Sequence, residues 1–184
     1  MGKTLIVSGH TDLGDSVVNK RILKYFENEA ENTEIVRLDS LYPDFKIDVE
    51  AEQGRLIGAD TIVLQFPLFW YSLPSILERW MEETFVHGFS HGSTGDKLKG
   101  KRLIASVTAG APEEMYSKTG AMGHDIEEFM IPVQAACNLC GMKFDGIVFT
   151  GGVSYALRNE PGMKEELVKK AEDHAERLIK KIKG

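Results

Sequence analysis

Several features that would assign this chain to a specialised class of protein are absent or rare. Only two cysteines occur among 184 residues, too few for a disulfide framework. No apolar stretch approaches the ~20 residues that span a bilayer. The net charge of −6 disfavours nucleic acid or an anionic membrane surface as a general partner. Because no signal-peptide pattern opens the chain, we expect one cytoplasmic domain over residues 1–184, without membrane insertion.

The two common glycine-rich nucleotide motifs are missing as well. Neither G-x-G-x-x-G nor G-x-x-x-x-G-K-[ST] occurs, so a dinucleotide-binding fingerprint and a P-loop have no support. There is also no internal repeat, low-complexity segment or linker. Any ligand site must therefore be inferred from individual loops and their chemistry.

What the sequence does have is an aromatic connection at residues 61–80, TIVLQFPLFWYSLPSILERW. The run TIVLQF is typical of a strand that is buried on both faces of a parallel sheet. The chain then breaks at Pro67 and exposes large side chains before a helix begins: Leu68, Phe69, Trp70 and Tyr71. Large aromatic surface in a loop is costly unless something flat and apolar covers it. This segment therefore indicates a site for an aromatic cofactor.

Strand-like and helix-like segments alternate along the chain. The strands are KTLIVSG, TEIVRLD, TIVLQF, KRLIASVT and FDGIVFTG, and the second mixes apolar and charged positions as an edge strand does. Predicted helices cover residues 16–30, 49–58, 72–85, about 126–139 and a C-terminal segment that Pro161 opens. Such alternation predicts an α/β fold with right-handed crossovers. Five strands fit the flavodoxin-like arrangement, an open parallel sheet of order 2-1-3-4-5 with helices on both faces.

In this arrangement three loops line the ligand crevice beside strands 1 and 3, at residues 10–16, 67–71 and 108–116. In the first loop, Ser16 is a good N-cap, and the helix start with His10 and Asn19 makes a natural anion site. In the third loop, small residues let the backbone approach a ligand, and Tyr116 supplies a phenol. Together the loops suggest a flat ring between the second and third.

Plainer explanations exist for two of these loops. From spacing alone, an ordinary capped turn explains the first loop better than a ligand site. Asp12 and Asp15 would have to turn away from a bound phosphate, and the loop holds no Arg or Lys. Phosphate would then depend on backbone donors, the helix dipole and His10. In isolation the third loop is best explained as a flexible surface turn with an exposed tyrosine.

Taken together, these segments resemble the flavodoxin-like NAD(P)H:quinone oxidoreductases, from mammalian quinone reductases to short bacterial members. Some of the bacterial members are ancillary subunits of potassium efflux systems. The resemblance covers nearly the whole chain. It rests on G-H-x5-S-x-x-N at residues 9–19, FPLFWYSLPSILERW at 66–80, TAGAPEEMYS at 108–117 and IPVQAACNLCGMKF at 131–144.

The resemblance implies a flavin, FMN or alternatively FAD, held by the three loops. The residues implied for its phosphate and ribityl chain are His10, Ser16, Val18 and Asn19. Those implied to line the isoalloxazine ring and give it backbone N–H donors are Pro67, Leu68, Phe69 and Trp70. Those implied to close the other side are Thr108, Ala109, Gly110 and Tyr116, of which Tyr116 is the catalytic candidate in a supporting role.

The resemblance also implies a homodimer with its site at the subunit interface and a ping-pong reaction. NAD(P)H reduces flavin N5, leaves, and a quinone takes its place on the same ring face. This sequence departs from the family at two points. Where the family often has Thr-Thr-Gly-Gly, this chain has Thr108-Ala109-Gly110-Ala111, which loses one hydroxyl. The histidine that follows the tyrosine in mammalian members is matched by Met122, with His124 two residues later.

The remaining candidate residues favour structural roles. Cys137 and Cys140 have C-x-x-C spacing at a helix C-terminus, whereas thioredoxin-type activation needs an N-terminus, so we expect two buried helical cysteines. His87 and His91 are four residues apart, but glycines indicate a loop there, and no metal site is expected. His174 is expected to be solvated or half-buried on the surface of the final helix.

The leading hypothesis is therefore a flavin-dependent NAD(P)H:quinone oxidoreductase. One alternative is a flavodoxin-type electron carrier, which predicts a T-x-T-G-x-T phosphate loop and a strongly acidic surface. The first loop has neither feature. The other alternative is a regulatory subunit that docks on a potassium efflux transporter, and this role can coexist with catalysis.

Overall fold

A single parallel sheet organises the computed structural model, which describes residues 2–29 and 32–184. Its strands are β1 (Thr4–Ser8), β2 (Thr33–Arg37), β3 (Thr61–Pro67), β4 (Arg102–Thr108) and β5 (Lys143–Thr150). The strand order is β2-β1-β3-β4-β5, and each neighbouring pair is parallel. The flavodoxin-like arrangement predicted from the alternation of elements is confirmed.

Helices cover both faces of this sheet. They are α1 (Val18–Glu29), α2 (Leu38–Leu41), α3 (Val49–Gly58), α4 (Ser75–Thr84), α5 (Ile126–Phe129), α6 (Ile131–Leu139) and α7 (Met163–Lys183). Strand side chains alternate between two cores: Leu5 and Val7 pack with residues of α2–α6, whereas Ile6 packs with residues of α1 and α7. Burial on both faces explains why the central strands are continuous apolar runs.

The placement of α1 and α7 determines which loops meet at the carboxyl edge of the sheet. Both helices pack on the same face, with Arg21 of α1 paired to Glu172 of α7. The segments that lead into them are therefore neighbours. A 3-10 turn at Leu13–Asp15 precedes α1, and another at Tyr155–Asn159 precedes α7. This edge thus receives a fourth loop in addition to the three loops predicted from the sequence.

Some helix boundaries differ from the predicted ones for local reasons. Helix α4 begins after Pro74, because Ser72 closes a tight turn with Phe69 instead of capping a helix. The segment 126–139 forms two helices, and Pro132 in the first turn of α6 lacks the N–H that would continue the first one. Helix α7 begins at Met163, after a left-handed Gly162. The predicted end of the first helix, Ala30, lies outside the described residues.

The prediction for His174 was wrong. Its ring is fully buried under α7, with Nε2 2.8 Å from Ser106 Oγ of β4 and Nδ1 2.8 Å from Thr150 Oγ1 of β5. The burial of His174 follows from the apolar stripe of α7, because a histidine one turn from Ala171 and Leu178 lies on the same helix face. The two cysteines are buried on α6 and at its end, as predicted.

Within residues 2–29 and 32–184, no helix combines the length and apolarity needed to cross a membrane. In the same ranges, no three His, Cys, Asp or Glu side chains gather in a way that could hold a metal ion. His87 and His91 lie in an irregular loop, with ring centroids 5.7 Å apart in an edge-to-face arrangement.

Candidate functional site

A cavity of about 440 Å³ opens at the carboxyl ends of β1, β3 and β4. All of the predicted cofactor residues except Trp70 and Tyr116 line this strand-end cavity: His10, Ser16, Val18, Asn19, Pro67, Leu68, Phe69, Thr108, Ala109 and Gly110. Its volume falls in the range of roughly 300–1,000 Å³ that is usual for small-molecule sites. The three loops predicted from the sequence therefore meet at one place.

His10 is fixed at one wall of the strand-end cavity as a neutral ring. Its Nδ1 accepts a hydrogen bond from the backbone N–H of Asp12 at 3.0 Å. Burial lowers the pKa of His10 against the opposing effect of Asp39 and other nearby carboxylates. A neutral imidazole with an accepting Nδ1 carries its proton on Nε2, so the ring offers one donor. Its edge packs against Phe69, with ring centroids 5.9 Å apart.

Asn19 ties the floor of the cavity together. Its Oδ1 accepts hydrogen bonds from Gln65 Nε2 of β3 and, at 3.1 Å, from Thr108 Oγ1 of β4. Its Nδ2 donates to Ser16 Oγ at 3.2 Å, and its backbone N–H donates to the same oxygen. The residue is buried. These bonds make Asn19 a brace between the first loop and two strands, with most of its side-chain capacity already in use.

The aromatic loop after β3 is a two-residue turn. Phe69 and Ser72 exchange backbone hydrogen bonds of 3.2 and 3.0 Å, and the residues between them, Trp70 and Tyr71, have left-handed φ values of 49° and 64°. Trp70 is 93% exposed at the tip and does not line the cavity. Bulky side chains at positive φ are strained, and such strain clusters at functional sites.

Two backbone donors expected to face a ligand are engaged within the protein. The N–H of Leu68 donates to Thr108 O at 2.7 Å, and that of Phe69 donates to Ser72 O. Leu68 and Phe69 therefore contribute side-chain surface to the cavity, while their amides hold β3 and β4 and the turn together. The expectation that these two amides serve a bound ring is not met in this structure.

Tyr116 lies outside the cavity, in an aromatic cluster beside it. Its ring packs edge-on against Phe149 and Phe129, with centroids 5.2 and 6.1 Å away, and Phe129 also stacks on Tyr71 at 5.3 Å. Burial raises the pKa of Tyr116, with a further contribution from Tyr71, so the phenol stays protonated at neutral pH. His124 packs against Phe129 at 5.9 Å.

The fourth loop supplies residues that the sequence analysis missed. Five residues from β5 to the start of α7 also line the strand-end cavity: Val153, Ser154, Tyr155, Arg158 and Leu167. The prediction considered only the crevice beside strands 1 and 3, and β5 lies two strands from that point. The available signal was the aromatic and basic pattern SYALRN directly after the last buried strand.

Arg158 supplies the cavity with the positive charge that the first loop lacks. Its guanidinium forms an ion pair with the Asp15 carboxylate and lies 3.4 Å from the centre of the Tyr155 ring. Among the described residues that line the cavity, Arg158 carries the one permanent positive charge. Asp12 and Asp15 line the cavity too, with the Asp12 carboxylate accepting the backbone N–H of Asp15.

A wider groove of about 920 Å³ adjoins the strand-end cavity at Gly110 and Ser154. Three cationic residues of α7 line it, and two of them are engaged within the protein: Lys170 Nζ donates to Gly152 O at 3.2 Å, and Arg177 bonds to Asp173, Phe149 O and Thr150 Oγ1, whereas Lys169 is the third. Four carboxylates also line it, from Glu113, Glu114, Glu166 and Asp173. The smaller cavity is the better candidate site, because it gathers the predicted residues and an aromatic wall.

Comparison with known proteins gives close relatives. One is an uncharacterized NAD(P)H oxidoreductase of Bacillus subtilis, YrkL, 39% identical over 142 residues that cover 77% of this chain and 81% of the relative. Another is the glutathione-regulated potassium-efflux system ancillary protein KefF of Salmonella newport, 41% identical over 140 residues that cover 76% and 78%.

Solved structures share the fold over nearly the whole chain. General stress protein 14 of Treponema denticola in complex with FMN has a TM-score of 0.87 at 28% identity, covering 97% of this chain and 99% of that one. An NADPH-quinone reductase of P. pentosaceus has a TM-score of 0.77 at 29% identity, covering 94% and 97%.

A structure described as a thermophilic tryptophan halogenase from Streptomycin violaceusniger has a TM-score of 0.85 at 33% identity, covering 95% and 97%. Likeness of fold alone therefore does not determine the reaction. The model of a protein family described as having a flavodoxin-like fold matches residues 2–177 of this chain. The chain belongs to this flavodoxin-like family and, within it, to the oxidoreductases related to NAD(P)H-quinone reductases and to the potassium-efflux ancillary proteins.

Proposed function

We propose that this protein is a flavin-dependent NAD(P)H:quinone oxidoreductase that binds FMN in the strand-end cavity. The observation that carries the proposal is the cavity itself, which joins an aromatic wall, a helix N-terminus and an arginine at the carboxyl edge of a parallel sheet. Relatives named as NAD(P)H oxidoreductases and a neighbouring structure in complex with FMN support it.

The residues of the cavity fit the parts of FMN. Val17 and Val18 lie at the start of α1, where backbone N–H groups have no partner within the helix and favour an anion. Arg158 adds a guanidinium for a phosphate, and neutral His10 adds an N–H donor. Phe69 and Leu68 offer an apolar face for a flat ring. FAD shares the ring and ribityl chain, so it is the alternative cofactor.

When bound, a flavin supplies the redox chemistry, taking up the two electrons of NAD(P)H and delivering them to a quinone in two half-reactions. The overall reaction converts NAD(P)H, one proton and a quinone into NAD(P)⁺ and a hydroquinone. In our proposal the protein binds the two substrates in turn at one place and excludes water from it. Tyr116, kept neutral by burial, is assigned a supporting role as a hydrogen-bond donor at the rim.

A homodimer belongs to the same proposal. Trp70, Tyr71 and Ile131 expose large apolar surfaces on and near the loops that flank the cavity. Packing against a second copy would cover them and would complete the side of the site on which Trp70 stands. Trp70 would then line the ring from the dimer interface, as its position at the tip of the turn allows.

The first test is purification followed by a visible spectrum and release of the cofactor by heat. We expect flavin absorption bands and FMN on chromatography of the released material. A colourless protein that FMN cannot reconstitute would defeat the proposal. The second test is steady-state oxidation of NADPH and NADH with a benzoquinone, for which we expect parallel initial-rate lines typical of a ping-pong reaction.

A regulatory role on a potassium efflux transporter is the second candidate, favoured by the similarity to KefF. Co-purification with an efflux protein would support it, and it is compatible with turnover. A flavodoxin-type carrier is distinguished by kinetics: a carrier binds flavin but does not oxidise NAD(P)H steadily with a quinone. Steady turnover would exclude the carrier role, and its absence in the flavin-loaded protein would exclude the reductase.

A further inference from the structure

We propose that Arg158 is the phosphate-binding residue of the strand-end cavity and that Asp15 competes with the phosphate for it. Binding of a phosphate-bearing ligand then exchanges a carboxylate for a phosphate on one guanidinium. The inference rests on the proposed flavin function, because FMN is the natural ligand with which to test it. It adds a residue pair that sets how strongly the cavity prefers a phosphorylated ligand.

The contacts of Arg158 link the first loop to the fourth loop. Its Nη1 bonds to the carboxylate of Asp15 and, at 3.2 Å, to the backbone carbonyl oxygen of the same residue. Its Nη2 bonds to the hydroxyl of Tyr155, whose ring lies under the guanidinium. All three residues line the cavity. The pair joins positions 143 residues apart in the chain.

The charges that line the cavity mean that an entering phosphate must compete with Asp15 for Arg158. The carboxylates of Asp12 and Asp15 oppose an entering phosphate, and His10 is neutral there because burial lowers its pKa. Asp12 is committed to its own loop, where its carboxylate accepts the backbone N–H of Asp15 at 3.3 Å. The guanidinium is therefore the group that can offset a phosphate charge, and Asp15 already occupies it.

The surroundings of the Arg158–Asp15 pair also allow a phosphate to replace the Asp15 carboxylate. The side chains of Arg158 and Asp15 are 23% and 47% exposed, and such solvent-accessible ion pairs contribute little stability, so a better ligand displaces one partner easily. A phosphate matches the planar guanidinium in two-point hydrogen bonding. The Tyr155 ring supports the guanidinium independently of Asp15, which keeps Arg158 in place when the carboxylate leaves.

Protonation does not relieve this competition near neutral pH. The Tyr155 hydroxyl lowers the pKa of Asp15, outweighing the opposing effect of desolvation, and Arg158 lowers it further. The Asp15 carboxylate therefore stays charged throughout the range in which a flavin enzyme works. Asp15 itself adds no pH dependence to phosphate binding between about pH 6 and 8, since its pKa lies below the ordinary carboxyl value near 4, whereas the phosphate gains charge as the pH rises through about 6.

The experiment compares FMN with riboflavin, which has the same ring and ribityl chain but no phosphate. Dissociation constants are measured by fluorescence quenching on the full chain stripped of flavin. For Asp15→Asn we expect FMN to bind about two- to fivefold tighter and riboflavin to bind as in the wild type. For Arg158→Gln we expect FMN to bind about tenfold more weakly, again without change for riboflavin.

The double variant separates competition from simple repulsion. If Asp15 acts through Arg158, Asp15→Asn gives a clearly smaller gain in FMN affinity once Arg158→Gln is present, because only the direct repulsion between carboxylate and phosphate is then removed. If Asp15 acts on the phosphate by direct repulsion alone, the gain persists in full in the double variant, and the proposal is overturned. Arg21→Gln and Glu172→Gln are matched controls, because they break a similarly exposed ion pair between α1 and α7 that does not line the cavity.

A second measurement does not need a flavin. Inorganic phosphate at millimolar concentrations should raise the thermal unfolding midpoint of the wild type, more so for Asp15→Asn and not at all for Arg158→Gln. A protein that binds no flavin and turns over no NAD(P)H would defeat the proposed function, yet this phosphate series would still test Arg158. Equal shifts in all three proteins, or no shift in any of them, would overturn the inference.

Discussion

At the scale of single residues, His174 shows how a titratable group can be held uncharged inside the fold. Its two ring nitrogens meet the hydroxyls of Ser106 and Thr150, and Thr150 Oγ1 also accepts a hydrogen bond from Arg177 at 2.7 Å. Burial, with a smaller contribution from nearby Arg177, lowers the pKa of His174 to about 3. The ring joins the ends of β4 and β5 to α7, close beneath the loop that carries Ala109.

The depressed pKa of His174 predicts a loss of stability in mild acid. The unfolded chain has a histidine pKa near 6.5, so between about pH 3 and 6.5 it binds a proton that the folded protein does not. The stabilising effect is complete above about pH 6.5 and declines as the pH falls. From pH 7 to pH 5 the wild type should lose about 2 kcal/mol from this group in urea unfolding.

His174→Gln should be less stable than the wild type at pH 7 but should show a flatter pH dependence over the same window. His87→Gln, which removes an exposed histidine from a surface loop, is the matched control and should keep the wild-type slope. Identical slopes for the wild type and His174→Gln would mean that the buried ring titrates without affecting folding.

Glu52 is a second buried polar residue, on the opposite face of the sheet. Its carboxylate accepts hydrogen bonds from Tyr42 Oη at 2.6 Å and Trp80 Nε1 at 2.9 Å, and it pairs with Arg55. Glu52→Ala should lower the free energy of unfolding by about 3–5 kcal/mol, because it leaves these donors unpaired in the core. Urea unfolding of Glu50→Ala, an exposed position of the same helix, gives the comparison and should change by less than about 1 kcal/mol. Similar losses in both variants would count against the network.

At the scale of elements, the connection between β3 and α4 was predicted only in part: its exposed aromatic side chains were expected from the sequence, and its backbone conformation was not. The exposure of Phe69, Trp70 and Tyr71 was predicted correctly, whereas Leu68 is half-buried against the core. The backbone of the turn was not predicted, because tight turns with two left-handed residues normally contain Asn or Gly. Here Trp70 and Tyr71 occupy those positions, and only the hydrogen bonds between Phe69 and Ser72 identify the turn.

The strain in this turn predicts that Trp70→Asn stabilises the isolated monomer by up to about 1 kcal/mol. Asparagine tolerates a left-handed conformation, and the exposed indole loses little contact on removal. Urea unfolding at a concentration low enough for the protein to be monomeric should show the gain, since the proposed dimer covers the indole. Ile57→Asn tests the loss of another exposed apolar side chain, 52% exposed against 93% for Trp70, at an ordinary helical position, where no gain is expected. Destabilisation by Trp70→Asn would indicate that the indole makes contacts that offset the strain.

The ends of helices could also be predicted from the sequence only in some cases. Helix α3 has the predicted bounds, Val49–Gly58, because Asp48 caps it and accepts the backbone N–H of Ala51 at 3.1 Å. The segment 126–139 carries a continuous apolar pattern, so periodicity alone predicts one helix. Its division at Met130 follows from backbone details that periodicity does not encode.

At the scale of the whole molecule, sheet order could be predicted because strand-helix alternation leaves few right-handed topologies. The residues around β1, β3 and β4 followed from that order. Arg158 did not, since its approach to Asp15 depends on α1 and α7 packing side by side on one face. The burial of His174 depends on the same packing. Predictions from local pattern therefore succeeded where the topology alone decides and failed where two distant helices must meet.

The exposed apolar residues lead to the last prediction, which concerns assembly. Ile131 is 56% exposed at the start of α6, next to α5, where Phe129 stacks on Tyr71 of the β3–α4 turn. Specific dimers bury roughly 1,200–2,000 Å² in total, with an apolar centre.

We expect sedimentation velocity to show a dimer at micromolar concentration, and Ile131→Asp to raise its dissociation constant at least about tenfold, since a buried charge has no partner there. Ile57→Asp on α3 places the same charge at a similarly exposed position away from this surface and should leave the dimer intact. A wild type that sediments as a monomer, or equal weakening by both variants, would contradict an interface at this surface.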